Sequence, residues 1–281
     1  MSETTLLETE TSADAWAKLR DPRFRPTAES IIERSAPPGV RITSMTHVRT
    51  AHYVAYRVDA ARGAWLVRVG VTAPSDSAPA DNSGPHGTSV NMPTGQNREY
   101  RLARAFASAG SSAIVPERYI TFDGYLDDHA GIDVLWMPFL EDSGVPVTAA
   151  QWAQALIPLH ASRPAGQLPV FTNRAKTMER MGLWEDREAA AGIGAEYDAA
   201  MARLFDVATA WGPVHGDAHC GNVLVADGKA MLFDFDTVCW APLVWDLTHL
   251  ITRAGTDRNT GYMAGELKAA FGFTDEEVDA A

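Results

Sequence analysis

The chain reads as an α+β protein in two parts: an antiparallel sheet with one main helix, then a mainly helical half. Three observations carry this. Runs rich in Val, Tyr and Trp alternate with short turn signals in the first half. Long Ala-rich stretches dominate the second. The change falls at 138–147, where an apolar strand runs into Pro138, so that segment is the candidate hinge. A length of 281 residues suffices for one large domain or a two-lobed unit.

Residues 1–20 read as a polar tail in which SADAWAKLR (12–20) forms a short helix. PTAESIIERSA (26–36) is the next helix, opened by Pro26 and closed by Pro37-Pro38-Gly39. HYVAYRVDA (52–60) and AWLVRVGV (64–71) are strands, joined as a hairpin across Ala61-Arg62-Gly63. Residues 72–97 hold almost nothing to bury and read as a mobile surface loop. REYRLARAFASAG (98–110) is a helix with Tyr100, Ala103 and Phe106 on one face and Gly110 as its stop. Strands follow around 118–122 and 132–137. TAAQWAQALIPLHAS (148–162), the 175–190 stretch and GAEYDAAMARLFDVATAW (194–211) are helical by composition. The division drawn from sequence is a tail at 1–20, a sheet lobe at 21–137, a hinge at 138–147 and a helical lobe at 148–281.

The formal net charge is −12. Nucleic-acid binding depends on Lys and Arg neutralising phosphates, so no nucleic-acid partner is expected. An acidic chain suits a cationic small substrate. The lysines are Lys18, Lys176, Lys229 and Lys268, which leaves Arg68 as the cation of the 64–71 strand. Cys220 and Cys239 do not make a disulfide framework. The N-terminus lacks the basic start and apolar run of a signal peptide, and no apolar stretch approaches membrane-spanning length. The expectation is a cytoplasmic protein without a membrane partner, monomeric or homodimeric.

Chemistry concentrates in VHGDAHCGNVLVADGKAMLFDFDTV (214–238). Asp227-Gly228 between two apolar runs is a two-residue hairpin signal. Such a hairpin puts Asn222, just before its first strand, beside Asp234, just after its second, with Asp217 on the entering loop. A metal site, a phosphoryl-transfer site and a structural turn all accommodate that grouping. Phosphoryl transfer suits the residue types. Mg²⁺ takes a few protein oxygens and keeps its other positions for water and phosphate, and Asn222 and Asp234 can supply those oxygens. Asp217 can accept or orient the proton of a hydroxyl. His219 can approach the transferred phosphate or serve structurally. Asp236 can assist the metal or cap the following loop. Asp246, in VWDLTHL, suits fixing the loop through backbone bonds, and Trp240 and Trp245 suit either the core or an acceptor pocket.

GDAH also resembles the metal motif of a metallophosphoesterase. That chemistry needs further ligands, and His47, His52, His86, His129, His160 and His249 lie scattered. His215, His219 and Cys220 are too close in sequence to close a zinc tetrahedron easily. No GxxxxGK[ST] pattern is present, which excludes a P-loop enzyme.

HGD-x4-N followed by DFD, behind an Arg-bearing strand, an RExxL-type helix and an apolar hinge, resembles the aminoglycoside phosphotransferase and choline kinase-like family over roughly residues 40–250. These are small-molecule relatives of protein kinases. The resemblance implies a bilobal protein kinase-like fold, Mg²⁺, ATP or GTP as phosphate donor, and a small-molecule hydroxyl acceptor. It implies Asp217 as the catalytic residue, Asn222 and Asp234 as metal ligands, and His215 as a brace of the catalytic loop. Arg68 occupies the strand position of the nucleotide-binding Lys of protein kinases, with Glu99 as its ion-pair partner. The alternative is two solvated surface charges. Arg is a wider, planar donor and no equivalent of Lys. Pro138 would offer its carbonyl and Leu140 its N–H to a purine. Proline can fill a position that only accepts, although a Pro that ends a strand reads the same way. The turn at 49–52 would cover the phosphates without a Gly-rich pattern.

The function expected first is O-phosphorylation of an antibiotic, aminoglycoside-like or another hydroxylated natural product, as inactivation. A metabolic kinase for a sugar, amino sugar, choline-type aminoalcohol or nucleoside is the alternative. A metallophosphoesterase and a nucleotide-binding pseudokinase follow, the latter set back by the joint presence of Asp217, Asn222 and Asp234. Acidic stretches such as Trp184-Glu185-Asp186 favour a cationic or polyhydroxylated acceptor.

Overall fold

The computed structural model describes residues 24–50, 53–72, 95–122, 131–164, 168, 187–256 and 260–280. They fall into two compact units.

The first unit takes in the described residues to 72, then 95–101 and 114–140. Its centre is a five-stranded antiparallel sheet of β1 (Ile42–Thr50), β2 (Val54–Ala60), β3 (Gly63–Thr72), β4 (Arg118–Phe122) and β5 (Gly131–Pro138), in the order β1-β2-β3-β5-β4. β5 is buried from Gly131 to Met137, as befits an interior strand. β1 is the strand that sequence patterning missed. It is a largely exposed edge, polar on both faces, so alternation gives no signal. Its strand character comes from pairing with β2, from Ile42↔Ala60 to Thr50↔Val54, with register shifts that mark bulges. Helix α1 (Arg25–Ser35) packs Ile31 and Ile32 into one apolar cluster with Val58, Val67 and Trp136. The Trp136 indole N–H donates to Ser35 Oγ at 3.0 Å, so the buried Trp leaves no polar atom unpaired.

Helix α2 (Gly95–Ser108) begins earlier than its sequence indicates. Gly95-Gln96-Asn97 read as the end of a loop because Gly and Asn are poor helix formers. A tertiary bond decides the matter: Gln96 is buried and its Nε2 donates to Asp133 Oδ1 of β5 at 2.7 Å. β3 likewise runs to Thr72, paired with Gly131, and the rest of the expected 72–97 loop lies outside the described residues. Residues of α2 up to Arg101 belong to the first unit and Leu102 onward to the second, a finer division than the 21–137 lobe drawn from sequence.

The second unit takes in 102–113 and the described residues from 141. Its helices are α3 (Ala149–Ala161), α4 (Arg187–Val207), α5 (Trp245–Thr252), α6 (Ala264–Phe271) and α7 (Asp275–Ala280). Thr148 caps α3 in a reciprocal box: its hydroxyl accepts the Gln151 N–H and Gln151 Oε1 accepts the Thr148 N–H. Two ribbons complete the unit, β6 (Trp211–Val214) with β9 (Cys239–Pro242), and β7 (Val223–Ala226) with β8 (Lys229–Leu232). The β7–β8 turn has φ of 51° at Asp227 and 74° at Gly228, the left-handed pair that a tight hairpin requires. Gln151 Nε2 donates to Gly228 O and ties this turn to α3. Trp152, Leu156, Phe106, Leu232, Phe235 and Leu250 share the core.

The helix expected over 194–211 stops at Val207, and Trp211 opens β6. The β6–β9 ribbon escaped notice because Pro213 and Pro242 argue against strands, whereas a two-stranded edge tolerates them. The expected helix at 12–20 and residues 175–186 lie outside the described residues. Among the described residues no helix is long and apolar enough to cross a membrane.

Candidate active site

The 215–222 loop leaves β6 and enters β7, and Asp246 of α5 grips its start. The Asp246 carboxylate is buried and accepts the His215 N–H on Oδ2 and the Gly216 N–H on Oδ1, both at 2.8 Å. His160 Nε2 of α3 donates to the same Oδ2 at 2.9 Å. Burial works to raise this carboxyl, but the bond and charge of His160, with His215, outweigh it and hold it below the ordinary value. Gly216 has φ of +82°, and a side chain there would run into the Thr237 carbonyl, so the position admits glycine alone without rearrangement.

His215 is fully buried. Its Nε2–H donates to Phe233 O at 3.0 Å, its carbonyl accepts from Thr237 Oγ1 at 2.9 Å, and its ring packs against Phe235 with centroids 5.3 Å apart. Phe235 in turn meets Phe106 of α2 edge-on. The histidine is thus held through Nε2, its carbonyl and its ring face, while the buried Nδ1 has no hydrogen bond among the described residues.

Asp217 is the opposite. Its side chain is 41% exposed. Asn222 Nδ2 donates both to Asp217 O at 2.9 Å and to Oδ2 at 3.1 Å. His219 Nδ1 accepts the Gly221 N–H at 2.9 Å, so the ring proton lies on Nε2, which faces Asp217 Oδ2 at 3.5 Å. His249 Nε2 of α5 lies 3.9 Å from Oδ1. His219 leads in depressing the Asp217 carboxyl to about 2, the charge interactions with His249 and His215 add to it, and partial burial opposes it.

Asn222 N–H donates to His219 O, and Phe233 N–H donates to Asn222 O at 3.1 Å, so the hairpin brings the residues before β7 and after β8 together. Asp234 follows in a left-handed conformation, φ 68° and ψ 61°, a strained setting for a non-glycine residue and one that Asp tolerates better than most. Asp236 is exposed in the short 3-10 turn Phe235–Thr237. As a cation site the donor chemistry fits Mg²⁺. Asn222 spends its Nδ2 on Asp217, which leaves the amide Oδ1 as a hard oxygen donor, and the Phe233–Asn222 backbone bond brings Asp234 to the same end of the hairpin. Among the described residues no trio of His, Cys, Asp or Glu gathers as a metal cluster.

In the first unit, Arg68 and Glu99 are a buried pair and not surface charges: NH1 donates to Glu99 Oε2 at 2.6 Å, with 2% and 4% of the side chains exposed. The guanidinium also lies 4.5 Å from the Tyr53 ring centroid, a cation–π contact. Pro138 is the last residue of β5, opposite Trp65. Phe139 N–H donates to Ala64 O at 2.9 Å and closes the sheet, so Leu140 N–H is the next amide beyond it. Arg49 and Thr50 end β1, and the remainder of the turn at 49–52 lies outside the described residues. So do Trp184, Glu185 and Asp186. In the second unit Trp245 is buried and Trp240 packs against the core, as core residues do. Cys220 lines a cavity of about 230 Å³ with Asp142, Val147, Val223, Leu224 and Thr260.

Two histidines set aside in the sequence as scattered are in place here. His160 reaches Asp246, and His249 reaches Asp217. His249 carried a signal: it follows Asp246 by three residues, so on a helix both share a face. His160 carried none, since 86 residues separate it from Asp246.

An ionised carboxylate open to solvent, with oxygen donors one hairpin away, suits an enzyme of group transfer. The model of the phosphotransferase enzyme family matches residues 52–281. The chain belongs to that family and is a phosphotransferase. Solved structures agree on the fold. A spectinomycin phosphotransferase in complex with ADP and spectinomycin is 14% identical, with a TM-score of 0.52 over 91% of this chain and 82% of its own. An amicoumacin kinase in complex with AMP-PNP and Ca²⁺ is 14% identical, with a TM-score of 0.58 over 91% and 77%. A choline/ethanolamine kinase family protein from Mesorhizobium loti is 15% identical, with a TM-score of 0.54 over 87% and 75%. The α+β, kinase-like fold expected from the sequence is therefore the fold observed. No curated protein is similar enough to count as a match.

Proposed function

We propose that the protein moves the γ-phosphate of ATP or GTP to the hydroxyl of a small molecule, an antibiotic in the first place. The carrying observation is the asymmetry of Asp217. One carboxylate oxygen is held by Asn222 and faces His219, while the other is turned to an open position. Asp217 is the catalytic residue: it takes the acceptor's hydroxyl proton on Oδ1 as the oxygen attacks phosphorus, and the nucleoside diphosphate leaves. The depression of its carboxyl keeps it ionised and ready throughout the neutral range. His215, bonded to Phe233 and Thr237, and Asp246, bonded to the His215 and Gly216 amides, hold the loop so that Asp217 needs no rearrangement. Asn222 and Asp234 hold Mg²⁺, and His219 stands near the transferred phosphate. The metal, when bound, neutralises charge on the phosphates.

In the first unit, Arg68 pairs with the nucleotide phosphates, oriented by Glu99, and the carbonyl of Pro138 and N–H of Leu140 bond the base. Residues 138–147 serve as the hinge. The donor and the divalent cation find support in relatives of this fold crystallised with ADP, or with AMP-PNP and Ca²⁺. An antibiotic acceptor finds support in the spectinomycin and amicoumacin enzymes, and a cationic one in the net charge of −12. The second reading, a metabolic kinase, rests on the equally similar choline/ethanolamine kinase family protein and a putative fructosamine-3-kinase from Thermobifida fusca. A cytoplasmic monomer or homodimer completes the proposal.

The test is nucleotide consumption with Mg²⁺, ATP or GTP, and a panel of antibiotics, aminoalcohols and sugars. Asp217→Ala is expected to abolish turnover and leave nucleotide affinity nearly intact. Near-normal turnover in that variant sinks the mechanism, and phosphate release from phosphoesters without nucleotide makes the protein a hydrolase instead.

A further inference from the structure

The reaction proposed above leaves His249 without a task. Asp217 Oδ2 accepts from Asn222 Nδ2 at 3.1 Å and faces His219 Nε2 at 3.5 Å. Asp217 Oδ1 has no hydrogen bond among the described residues, and the group it faces is His249 Nε2 at 3.9 Å. That separation is too long for a direct bond. It suits two groups that share one oxygen between them, since an oxygen about 2.8 Å from each would subtend an angle of roughly 90°.

The placement is built into the fold. His249 lies three residues after Asp246 on α5, so the helix that clamps the His215 and Gly216 amides also carries an imidazole to the carboxylate. The start of the loop is thereby fixed to the helix that carries His249, which brings the two side chains within 3.9 Å. The His249 side chain is 36% exposed and open to an incoming molecule. The negative charge of Asp217 favours the ring tautomer that carries its proton on Nε2, toward the gap. Burial leads in lowering the His249 pKa, with Arg253 and His219 adding to it and Asp217 and Asp246 opposing, so the ring is a neutral donor at neutral pH.

We propose that His249 binds the acceptor: its Nε2–H holds the oxygen of the incoming hydroxyl, whose own proton points to Asp217 Oδ1. This rests on the phosphotransferase reading of Asp217. During transfer the hydroxyl proton passes to Oδ1 and the oxygen–phosphorus bond forms. The bond from the γ-phosphorus to the bridging oxygen breaks, and the nucleoside diphosphate leaves with that electron pair. His249 neither gains nor loses a proton. The arrangement selects an acceptor atom with a lone pair to receive Nε2–H and a proton to give. A hydroxyl meets both demands and an ammonium group does not, so O-phosphorylation is favoured over transfer to an amine.

The experiment compares His249→Ala, His249→Phe and His249→Gln in the full chain with Asp217→Ala alongside. ADP release from Mg·ATP is followed with the panel member that the protein turns over, and with water as the sole acceptor. Expected for the Ala and Phe variants is a fall of about ten- to a hundred-fold in kcat/KM for the acceptor and about ten-fold in release to water. The KM for Mg·ATP stays within about two-fold in both. Gln, which keeps an N–H at a similar reach, recovers most of the loss, which a purely structural histidine would not predict. His249→Ala within about three-fold of the parent overturns the inference, and so does an equal loss in nucleotide KM or a Gln variant as poor as Ala. An inactive Asp217→Ala beside a fully active His249→Ala overturns the inference alone, whereas an active Asp217→Ala overturns the reading of Asp217 as well.

Discussion

In the first unit the Arg68 side chain is 2% exposed, its guanidinium bonded to Glu99 and covered by Tyr53. In the second, the Asp217 side chain is 41% exposed, with one oxygen held and the other open. Both charges belong to the proposed reaction, yet the protein keeps them in different ways. A desolvated charge persists only with its partner, because removing either leaves the other buried and unpaired. A half-open carboxylate relies on water for part of its solvation and contributes little to folding. The buried pair is therefore coupled to stability, and the open carboxylate is free for chemistry. Asp246 belongs with Arg68 in this contrast, although it sits on the helix that carries His249. Its two oxygens are committed to amides and an imidazole, and it fixes the start of the loop.

This contrast breaks most visibly at Asp246. Asp246→Ala frees two buried amide N–H groups and an imidazole, and is expected to destabilise by about 3–5 kcal/mol in urea unfolding while abolishing ADP production. Asp217→Ala, by comparison, should cost only about 1 kcal/mol, because solvent screens most of what its depressed carboxyl contributes. A thermally normal Asp246→Ala protein would remove the distinction between the two carboxylates.

Next comes the buried pair. Arg68→Met is expected to cost about 3 kcal/mol because Glu99 is left unpaired, and the double change Arg68→Met with Glu99→Leu should recover most of that. Activity should not return with stability, since the proposed phosphate contact is gone in both. If stability and activity recover together, Arg68 is a structural residue only.

A smaller effect than that of the buried pair is expected at Glu277. Its Oε1 accepts from Thr209 N and Oγ1, and Oε2 accepts from Thr274 N and Oγ1. Burial works to raise this carboxyl, and those four bonds overcome it and leave it below the ordinary value. A depressed carboxyl contributes stability that is full above the ordinary carboxylate pKa and lost as pH falls through the folded value. Glu277→Gln should thus lower stability by about 1 kcal/mol at pH 7 and flatten the acid limb of a stability–pH curve. An unchanged acid limb would assign the acid sensitivity to other carboxylates.

Local pattern was enough for the hairpin at 223–232. Asp227-Gly228 names its turn, and a tight turn between two apolar runs leaves one pairing, which puts Asn222 and Asp234 at the same edge. It was enough also for β2, β3 and β5, whose Val- and Trp-rich runs are buried in the sheet. It was silent about β1, which is a strand because β2 lies beside it, and about the first turn of α2, which is helical because Gln96 reaches Asp133.

By itself the sequence determined the α+β class, the order of the main elements and the one loop dense enough in Asp, Asn and His to carry chemistry, because these depend on neighbours a few residues apart. Tertiary structure alone decided that Arg68 and Glu99 are a buried pair, that His160 steadies Asp246, and that His249 faces the open oxygen of Asp217. Each joins groups from separate elements, and the free energy of such contacts comes from desolvation and geometry that no local pattern encodes.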